Sequence, residues 1–344
     1  RTDTGAAEVR HYLESMGARA LSKALSNRRI ESVEFLARGE YSLNYLVRAA
    51  GTPGDEPSLV ARLVTGTQIN LPLGEQALYE HRALELLAPS GVTPKPRYVD
   101  LAPEGLPYPL ILEEYLPGRP LIYATDLTPA ARCVAKIHAL AVPRDHLLQE
   151  HPDPALSILA ESRELVTSYL DWNTAPEEST EALHGAFRKI EQFLEQKGLF
   201  SREDLVIVNY DLNTHNFIVS EAGGGSARLV DWEKARIAPR TQDVAHFLLP
   251  TTTLWRDATA ARLTPEQEAE FVNTYLAYSN VGSIGRFLIQ LAAMRLIVSL
   301  RAVSWCAWAL QETARGGRAI TNEETLNKCR MYLEPEFLRE LFGL

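Results

Sequence analysis

Three polar side chains in the second half of the chain have the types and the spacing that phosphoryl transfer requires. Asp211 and Asn216 lie five residues apart in NYDLNTHNFIV, and Asp231 follows fifteen residues later in LVDWE. Phosphoryl transfer needs a carboxylate that orients the attacking hydroxyl and accepts its proton, and oxygen ligands that hold Mg²⁺ on the phosphates. Asp211 suits the first task. Asn216 and Asp231 suit the second, because Mg²⁺ is a hard cation that prefers oxygen ligands.

The same two residue types also cap ordinary hairpins. Asp and Asn are common turn residues, and an isolated D-x-x-x-x-N matches by chance more often than by function. Here the apolar runs LVIV and FIV frame the pair, LVDWE lies downstream, and RTQDVAHFL follows it. These features together favour a magnesium-dependent phosphoryl-transfer loop over a plain hairpin.

These motifs resemble those of the aminoglycoside phosphotransferase and choline kinase superfamily, which are relatives of the protein kinases. The resemblance extends from about residue 33 to about 312. It implies that Asp211 is the catalytic base and that Asn216 and Asp231 are magnesium ligands. The family usually has His and Gly where this chain has Asn209 and Tyr210, so NYD departs from HGD. That His is a structural hydrogen-bonding residue, and Asn can partly replace it.

Two further residues match family positions with structural roles. Asp243, in RTQDVAHFL, corresponds to a buried carboxylate that braces the catalytic loop. His138, in AKIHALA, lies on a matching helix. A lone His on a helix is usually a satisfied structural residue, so His138 is assigned no chemistry.

The first half of the chain supplies the nucleotide side of the predicted site. LARGEYSLNYLV resembles a glycine-containing phosphate loop, in which Gly39 lets backbone N–H groups approach the phosphates of ATP. Ser42 and Asn44 can add hydrogen bonds. A plain hairpin explains a single Gly between strands equally well.

Arg62 and the connection between the lobes complete the nucleotide side of the predicted site. Arg62, in LVARLV, stands where related kinases have the Lys of V-A-I-K. Its apolar neighbours imply that it needs a partner, and Glu80 on the following helix is the predicted one. The alternative is an exposed strand Arg and a surface Glu. ILEEYLPG resembles the hinge, where adenine would bond to backbone around Glu114 and Leu116.

The substrate is not readable from the sequence. Trp305 and Trp308 share a helix face and resemble the W-x-x-W of choline kinases, where aromatic faces attract a quaternary ammonium. Core packing is the more common role of paired Trp. Lys234 and Arg301 argue against choline, since a nearby cation repels ammonium. The carboxylates that could serve an aminoglycoside are Glu312, Asp257 and Asp171.

The elements around these motifs change character along the chain. Strand patterns, with a turn predicted at GTPGDEP, and one helix, residues 74–88, come first. Mainly helical patterns follow and enclose a short β-rich segment, in which EAGGGSA is the predicted hairpin tip. This predicts an α+β, protein-kinase-like two-lobe fold with an N-terminal antiparallel sheet plus helix and a larger, mainly helical C-terminal lobe. The predicted boundaries are an N-terminal lobe at 1–113, a hinge at 114–118 and a C-terminal lobe at 119–344.

Composition narrows the function classes. The net charge of -9 disfavours a nucleic-acid partner. Arginines interrupt the most apolar stretch, residues 284–310, which therefore reads as a buried helix and not a membrane span. Three cysteines without metal-like spacing favour a reducing cytoplasm. Oligomeric state is not predicted.

The sequence therefore predicts a kinase that uses ATP and Mg²⁺ to phosphorylate a hydroxyl group of a small molecule. A choline or ethanolamine kinase is one alternative. A nucleotide-binding pseudokinase, motivated by NYD in place of HGD, is another. A protein kinase is disfavoured, because only about a dozen residues separate LVDWE from Asp243, with no A-P-E and no room for a long activation loop.

Overall fold

The computed structural model describes residues 4–15, 25, 28–50, 58–172, 175–194, 198–220, 225–316 and 322–344. The backbone divides into two units. The first comprises 1–120 with 142–148 and 217–235, and the second comprises 121–141 with 149–216 and 236–344. The lobe boundaries given by the sequence stay a prediction. The turn at GTPGDEP and most of EAGGGSA lie outside the described residues.

The first unit is built on a five-stranded antiparallel sheet. Its strands are β1 (Ile30–Arg38), β2 (Ser42–Ala49), β3 (Ser58–Val64), β4 (Pro96–Asp100) and β5 (Leu110–Glu114), in the spatial order β1-β2-β3-β5-β4. β2 and β3 are buried along most of their length, as their content of apolar residues requires. Helix α1 (Ala6–Ser15) contributes Val9 and Leu13 to the core on this sheet.

Helix α2 (Leu73–Leu87) crosses the same unit and carries Glu80. It begins after Pro72, and its last residue precedes a short 3₁₀ turn, Ala88–Ser90, that contains Pro89. The predicted helix at 74–88 is thus confirmed to within one residue.

A small three-stranded sheet completes the first unit. The hairpin of β8 (Phe217–Val219) and β9 (Ala227–Leu229) pairs through β8 with β6 (Arg119–Pro120). Gly118, with φ 154°, lies so close to β8 that a Cβ there would be 2.5 Å from the carbonyl oxygen of Val219. Only glycine fits at this position. The hairpin ends two residues before Asp231.

The second unit is mainly helical. A two-stranded ribbon of β7 (Leu205–Val208) and β10 (Arg236–Pro239) is surrounded by helices. They are α3 (Leu127–His138), α4 (Pro154–Leu170), α5 (Glu177–Leu194), α6 (Thr241–Leu248), α7 (Pro250–Thr253), α8 (Pro265–Tyr278), α9 (Ile284–Ala314), α10 (Glu323–Tyr332) and α11 (Pro335–Phe342).

Helix α9, 31 residues long, is the central element of this unit. Together with α4, α5, α10 and α11 it forms a large apolar core, which includes Ile158, Ile190, Ile297 and Tyr332. Among the described residues α9 alone is long and apolar enough to cross a membrane, and 61% of its apolar window is buried inside the protein. The core helix of a protein can be equally long and apolar. The prediction of a buried helix at residues 284–310 agrees with this burial.

The predicted fold class is confirmed. The N-terminal part is an antiparallel sheet with a helix, and the C-terminal part is larger and mainly helical. Cys133, Cys306 and Cys329 are free and buried.

Candidate functional site

Asp211 lies at the start of a loop that leaves the buried strand β7. Its carboxylate is 37% exposed, whereas Asn209 and Tyr210 before it are almost fully buried. A 3₁₀ turn, Thr214–Asn216, follows and leads into β8. The loop therefore presents one accessible carboxylate on a backbone whose neighbouring residues are packed.

Asp243 holds the backbone of this loop. Its carboxylate is 1% exposed and accepts the N–H of Asn209 at 2.8 Å and the N–H of Tyr210 at 2.9 Å. The third contact of the carboxylate is the His138 Nε2 at 3.3 Å, while the Nδ1 of His138 lies 2.9 Å from the hydroxyl of Tyr275. Burial lowers the pKa of His138 below its ordinary value. The bracing role of Asp243 and the structural role of His138 are both confirmed.

Two asparagine side chains fix the remainder of the loop. Asn209, at the family's His position, accepts the N–H of Asp211 through its Oδ1 at 3.2 Å. Asn216 donates from its Nδ2 to the carbonyl of Asp211 at 2.9 Å. The amide of Asn216 is thereby oriented, and its oxygen is the atom with which it can bind a metal.

Sequence analysis missed His246, which lies beside the candidate base. Its Nε2 is 3.7 Å from a carboxylate oxygen of Asp211. His246 lies on α6 three residues after Asp243, so the two share a helix face. This spacing was a usable signal, because a helix that reaches the loop with one residue also reaches it with the residue one turn later.

Tyr210 has an unusual backbone and unusual neighbours. Its φ is 71°, in the left-handed region that non-glycine residues rarely adopt. The guanidinium carbons of Arg236 and Arg301 lie 4.1 Å and 4.5 Å from the centre of its ring. Sequence analysis took Tyr210 only as a departure from Gly and did not connect it to either arginine.

In the first unit, Asp231 follows β9 with a left-handed backbone, φ 63°. It and Tyr210 are two of the four non-glycine residues with positive φ among those described. Such strained residues cluster at functional sites. One oxygen of Asp231 accepts from the Nη2 of Arg62 at 2.9 Å, and its side chain remains 33% exposed.

Arg62 is the buried cation of this unit. Its Nε lies 2.8 Å from Glu80, and its Nη2 lies 3.1 Å from Glu233. The predicted Arg62–Glu80 pair is confirmed, and the alternative of an exposed strand Arg with a surface Glu is wrong. Glu233 was missed, although it stands directly in the LVDWE motif; it also accepts from Gln68 at 2.8 Å.

Carboxylates outnumber the cation around Arg62. Burial opposes the charge of Arg62, yet Glu80, Asp231, Glu233 and Glu113 raise its pKa above the ordinary value. Burial raises the pKa of Glu80 to about 8 and those of Glu113 and Glu233 to about 7, and the surrounding carboxylates add to this effect. We call Arg62 and these four carboxylates the acidic cluster.

The predicted phosphate loop is the turn between β1 and β2. The N–H of Gly39 donates to the carbonyl of Ser42 at 2.9 Å, and a Cβ on Gly39 would lie 2.7 Å from the hydroxyl of Ser42. The amide of Asn44 donates to that hydroxyl at 3.2 Å. The three predicted residues thus lie together, and their binding of phosphate stays a prediction.

At the predicted hinge, the N–H of Glu114 already donates to the carbonyl of Lys95 at 3.0 Å. Leu116, 6% exposed, follows two residues later. Since Glu114 uses its N–H within the sheet, Leu116 is the better candidate for a backbone bond to adenine. That role stays a prediction.

The candidate substrate residues lie on α9. The rings of Trp305 and Trp308 are 6.4 Å apart, and Trp255 lies 5.8 Å from Trp305. Both tryptophans are half-buried against the apolar core of the second unit, which agrees with the core-packing alternative. Glu312 is half-buried near the end of the same helix. An ammonium-binding role for these residues stays a prediction.

Asp211 and Asn216 belong to the second unit and Asp231 to the first. Their convergence on one magnesium ion stays a prediction.

Comparison with known proteins identifies a family. The model of a phosphotransferase enzyme family, APH, matches residues 32–282. The chain has no significant match among curated protein sequences. Among solved structures it is similar to a putative aminoglycoside phosphotransferase from Ralstonia eutropha JMP134, with a TM-score of 0.63, 15% identity, and coverage of 100% of this chain and 99% of that one.

Two other solved structures illustrate the range of similar proteins. A spectinomycin phosphotransferase, in complex with ADP and spectinomycin, has a TM-score of 0.61 and 14% identity, covering 96% of this chain and 98% of that one. An ethanolamine kinase from Plasmodium vivax has a TM-score of 0.60 and 15% identity, covering 91% and 85%. At such identities these structures establish the fold.

Proposed function

Because the chain belongs to the phosphotransferase enzyme family, we propose that it is an ATP- and Mg²⁺-dependent kinase that transfers the γ-phosphate to a hydroxyl of a small molecule. The observation that carries the proposal is the loop at Asp211. An accessible carboxylate is held there on a backbone that buried Asp243 and Asn216 fix by hydrogen bonds. Rigid placement of the base is the main protein contribution to phosphoryl transfer.

Asp211 acts as the base. It orients the attacking hydroxyl and takes its proton as the new oxygen–phosphorus bond forms and the bond to the leaving ADP oxygen breaks. His246, 3.7 Å away, limits the orientations of the carboxylate. Asn209 supports the same turn by accepting the N–H of Asp211, so NYD retains a side-chain hydrogen bond within the loop. This favours an active enzyme over the pseudokinase.

The donor set fits magnesium. Asn216 offers an amide oxygen and Asp231 a carboxylate oxygen, and Mg²⁺ is usually held by one or two such groups together with phosphate oxygens. Within the described residues, no group of three or more His, Cys, Asp or Glu side chains is arranged to hold a metal by itself. A metal held jointly with a triphosphate does not need one. The ion, when bound, neutralises charge on the transferred phosphoryl group.

Residues of the first unit are proposed to contact the nucleotide. Glu80 pairs with Arg62 at Nε, and Asp231 and Glu233 pair with it at Nη2. The remaining nitrogen, Nη1, is the one proposed to face the phosphates. Gly39, Ser42 and Asn44 form the turn proposed to cover the phosphates. Leu116, with Glu114, is proposed to meet adenine through backbone groups.

A transfer assay tests this proposal. Labelled ATP and Mg²⁺ are incubated with a broad panel of alcohols that includes aminoglycosides, choline, ethanolamine, sugars and hydroxy acids. We expect at least one acceptor to be phosphorylated, and Asp211→Asn to lower kcat by at least about a thousandfold with nucleotide binding retained.

Arg163→Gln, on the exposed surface of α4, is the matched control and should leave kcat unchanged. Retention of turnover within tenfold in Asp211→Asn would remove Asp211 as the base. Nucleotide binding without transfer to any acceptor would favour the pseudokinase.

A further inference from the structure

An aromatic ring that contacts two arginines adjoins the candidate base. The guanidinium carbons of Arg236 and Arg301 lie 4.1 Å and 4.5 Å from the ring centre of Tyr210, the residue before Asp211. The three residues come from β10, α9 and the catalytic loop. We call Tyr210, Arg236 and Arg301 the basic cluster. Stacking on an aromatic face fixes a guanidinium while leaving its N–H groups to bond elsewhere.

The backbone of Tyr210 shows that this arrangement is maintained against strain. A φ of 71° is unfavourable for a residue with a Cβ. The hydroxyl of Tyr210 is buried and has no hydrogen-bond partner within the described part of the chain. The ring is therefore held by its faces, which the guanidiniums contact. Gly, the residue of the family pattern at this position, would avoid the strain but could not position two arginines.

The pKa of His151 is lowered in part by the positive charge of the basic cluster. Its ring centre is 6.0 Å from that of Tyr210, and its Nε2 lies 3.4 Å from Nη1 of Arg236. Burial, together with Arg236 and Arg301, lowers the pKa of His151 to about 4. His151 is neutral at pH 7, so it adds no charge to the two arginines. The carboxylate near Arg301, Glu161, is 3.6 Å from its Nε and 48% exposed, so solvent weakens its effect.

The cluster also lies within reach of a substrate at Asp211. Consecutive Cα atoms are about 3.8 Å apart, so the guanidinium of Arg301 is within roughly 12 Å of the Asp211 Cα. Arg301 is 26% exposed and Asp211 is 37% exposed, so both side chains reach solvent. The separation of the two groups is therefore within the span of one small molecule.

We propose that the basic cluster selects acceptor substrates that carry a carboxylate or a phosphate group in addition to the hydroxyl that is phosphorylated. The inference rests on the proposed function, since it assigns the substrate class of that same site. Guanidinium groups bind carboxylate and phosphate oxygens in a fixed fork. The same charges repel the ammonium groups of aminoglycosides and choline.

A purely structural role is the competing explanation, in which the arginines only hold Tyr210 and its loop. The two explanations differ in what Arg301 variants change. Loss of loop support lowers kcat for every acceptor alike. Loss of an anion contact raises KM for anionic acceptors and leaves neutral acceptors and ATP unaffected.

Matched acceptors provide the first test. Glycerate and glycerol phosphate are anionic, glycerol is neutral, and 3-aminopropane-1,2-diol is cationic, on one carbon skeleton. We expect kcat/KM to be at least about tenfold higher for an anionic member than for glycerol, and lowest for the amine. The two anionic acceptors separate a carboxylate preference from a phosphate preference. Preference for the neutral or cationic member overturns the inference.

Variants of Arg301 provide the second test. Arg301→Gln should raise KM for the anionic acceptor about tenfold with KM for ATP unchanged, and Arg301→Lys should restore part of the loss. Arg163→Gln removes an exposed arginine from the neighbouring α4 and serves as the control. An equal fall of kcat for all acceptors in Arg301→Gln would assign the arginine to loop support and overturn the inference.

Binding without turnover separates this inference from the proposed function. Calorimetry with inorganic phosphate, on protein saturated with ADP and Mg²⁺, should give saturable binding that Arg301→Gln weakens at least fivefold and Arg163→Gln does not. Such binding in a protein that phosphorylates nothing would sustain the anion site and refute the kinase. Transfer without anion preference and without phosphate binding would sustain the kinase and refute the anion site.

Discussion

Both units contain arginine beside a predicted site residue, but the groups that surround its charge differ. In the first unit one guanidinium, Arg62, faces four carboxylates of the acidic cluster. In the second, two guanidiniums of the basic cluster share the faces of Tyr210. Carboxylates neutralise a cation and here exceed it, whereas an aromatic ring holds a cation without neutralising it. The arginine of the first unit is therefore outnumbered by carboxyl groups, whereas the two arginines of the second unit contact a neutral ring.

If the chain has the proposed function, this difference has a functional consequence. A surplus of carboxylates around Arg62 and Asp231 suits a divalent cation with a nucleotide. A surplus of guanidinium beside Asp211 suits an anionic acceptor. Substitutions that exchange or remove the two kinds of compensation are the means to test the contrast.

The largest effect is expected from removal of the cation in the acidic cluster. Arg62→Gln leaves Glu80, 2% exposed, without its cationic partner. Removing one member of a buried ion pair costs about 3–5 kcal/mol where the remaining group stays charged. Glu80 can take up a proton, because burial already raises its pKa to about 8, so the loss falls at the lower end of that range. We expect a loss of about 3 kcal/mol in the free energy of unfolding, measured by urea titration, together with a higher KM for ATP.

Two variants serve as controls for this prediction. Arg62→Lys keeps the charge without the fork and should lose less stability. Arg163→Gln breaks an exposed ion pair with Glu191 and should change stability by less than about 1 kcal/mol. Equal stability of Arg62→Gln and the parent protein would show that the acidic cluster does not depend on its cation.

The next largest effect is expected at Asp243, which holds the backbone of the loop that carries Tyr210. Asp243 accepts two backbone N–H groups, and Asn in its place can accept with only one oxygen while its NH₂ faces a donor. Loss of a hydrogen bond to a buried charged group costs about 1.5–3 kcal/mol. A shifted loop lowers kcat by about a hundredfold. Urea titration and steady-state kinetics of Asp243→Asn measure both quantities.

If Asp243→Asn kept full kcat, the arginines stacked on Tyr210 would be sufficient to hold the loop. Gln242→Glu is not a usable control, because Gln242 is also buried. Glu266→Gln, at the start of α8, changes an acidic side chain on the surface and should leave both quantities unchanged.

Sequence analysis identified the parts of these clusters that depend on local pattern. Arg62 stands among apolar residues of a central strand, so its need for a partner was readable, and the helix carrying Glu80 came next in the chain. Asp243 was readable from the family motif. In each case a short segment carried both the residue and the reason for its role.

The basic cluster had no such pattern. Arg236 and Arg301 are separated by 65 positions and meet only through the ring of Tyr210, a contact that the packing of α9 creates. Glu113 and Glu233 were missed for the same reason, since their relation to Arg62 depends on strand pairing and on the end of β9. Residues that act through long-range packing leave no trace in spacing.

The two clusters should also respond to pH with opposite signs. The pKa of Glu113 is raised to about 7 by burial, so the folded protein binds its proton more tightly than the unfolded chain. Its contribution to stability is complete below the ordinary Glu pKa and is lost as the pH rises to about 7. The pKa of His151 is lowered to about 4 by burial and the two arginines. Its contribution is complete above the ordinary His pKa and is lost as the pH falls towards 4.

Free energies of unfolding measured from pH 4 to pH 8 test both predicted dependences of stability on pH. Glu113→Gln should make stability fall less steeply above pH 5, and His151→Gln should make it fall less steeply below pH 6. Parallel curves for the parent protein and His151→Gln would mean that the arginines do not keep this His neutral, which would weaken the assignment of surplus positive charge.

The smallest effect is expected at the hydroxyl of Tyr210. The ring is held by two guanidiniums through its faces, while the buried hydroxyl has no partner among the described residues. Tyr210→Phe keeps the ring and removes an unsatisfied polar group, so the free energy of unfolding should stay unchanged or rise by up to about 1 kcal/mol. Tyr169→Phe, which removes a hydroxyl elsewhere in the second unit, is the matched comparison. A loss of more than about 1 kcal/mol in Tyr210→Phe alone would show that the hydroxyl, and not the two stacked arginines, holds the ring against its left-handed backbone.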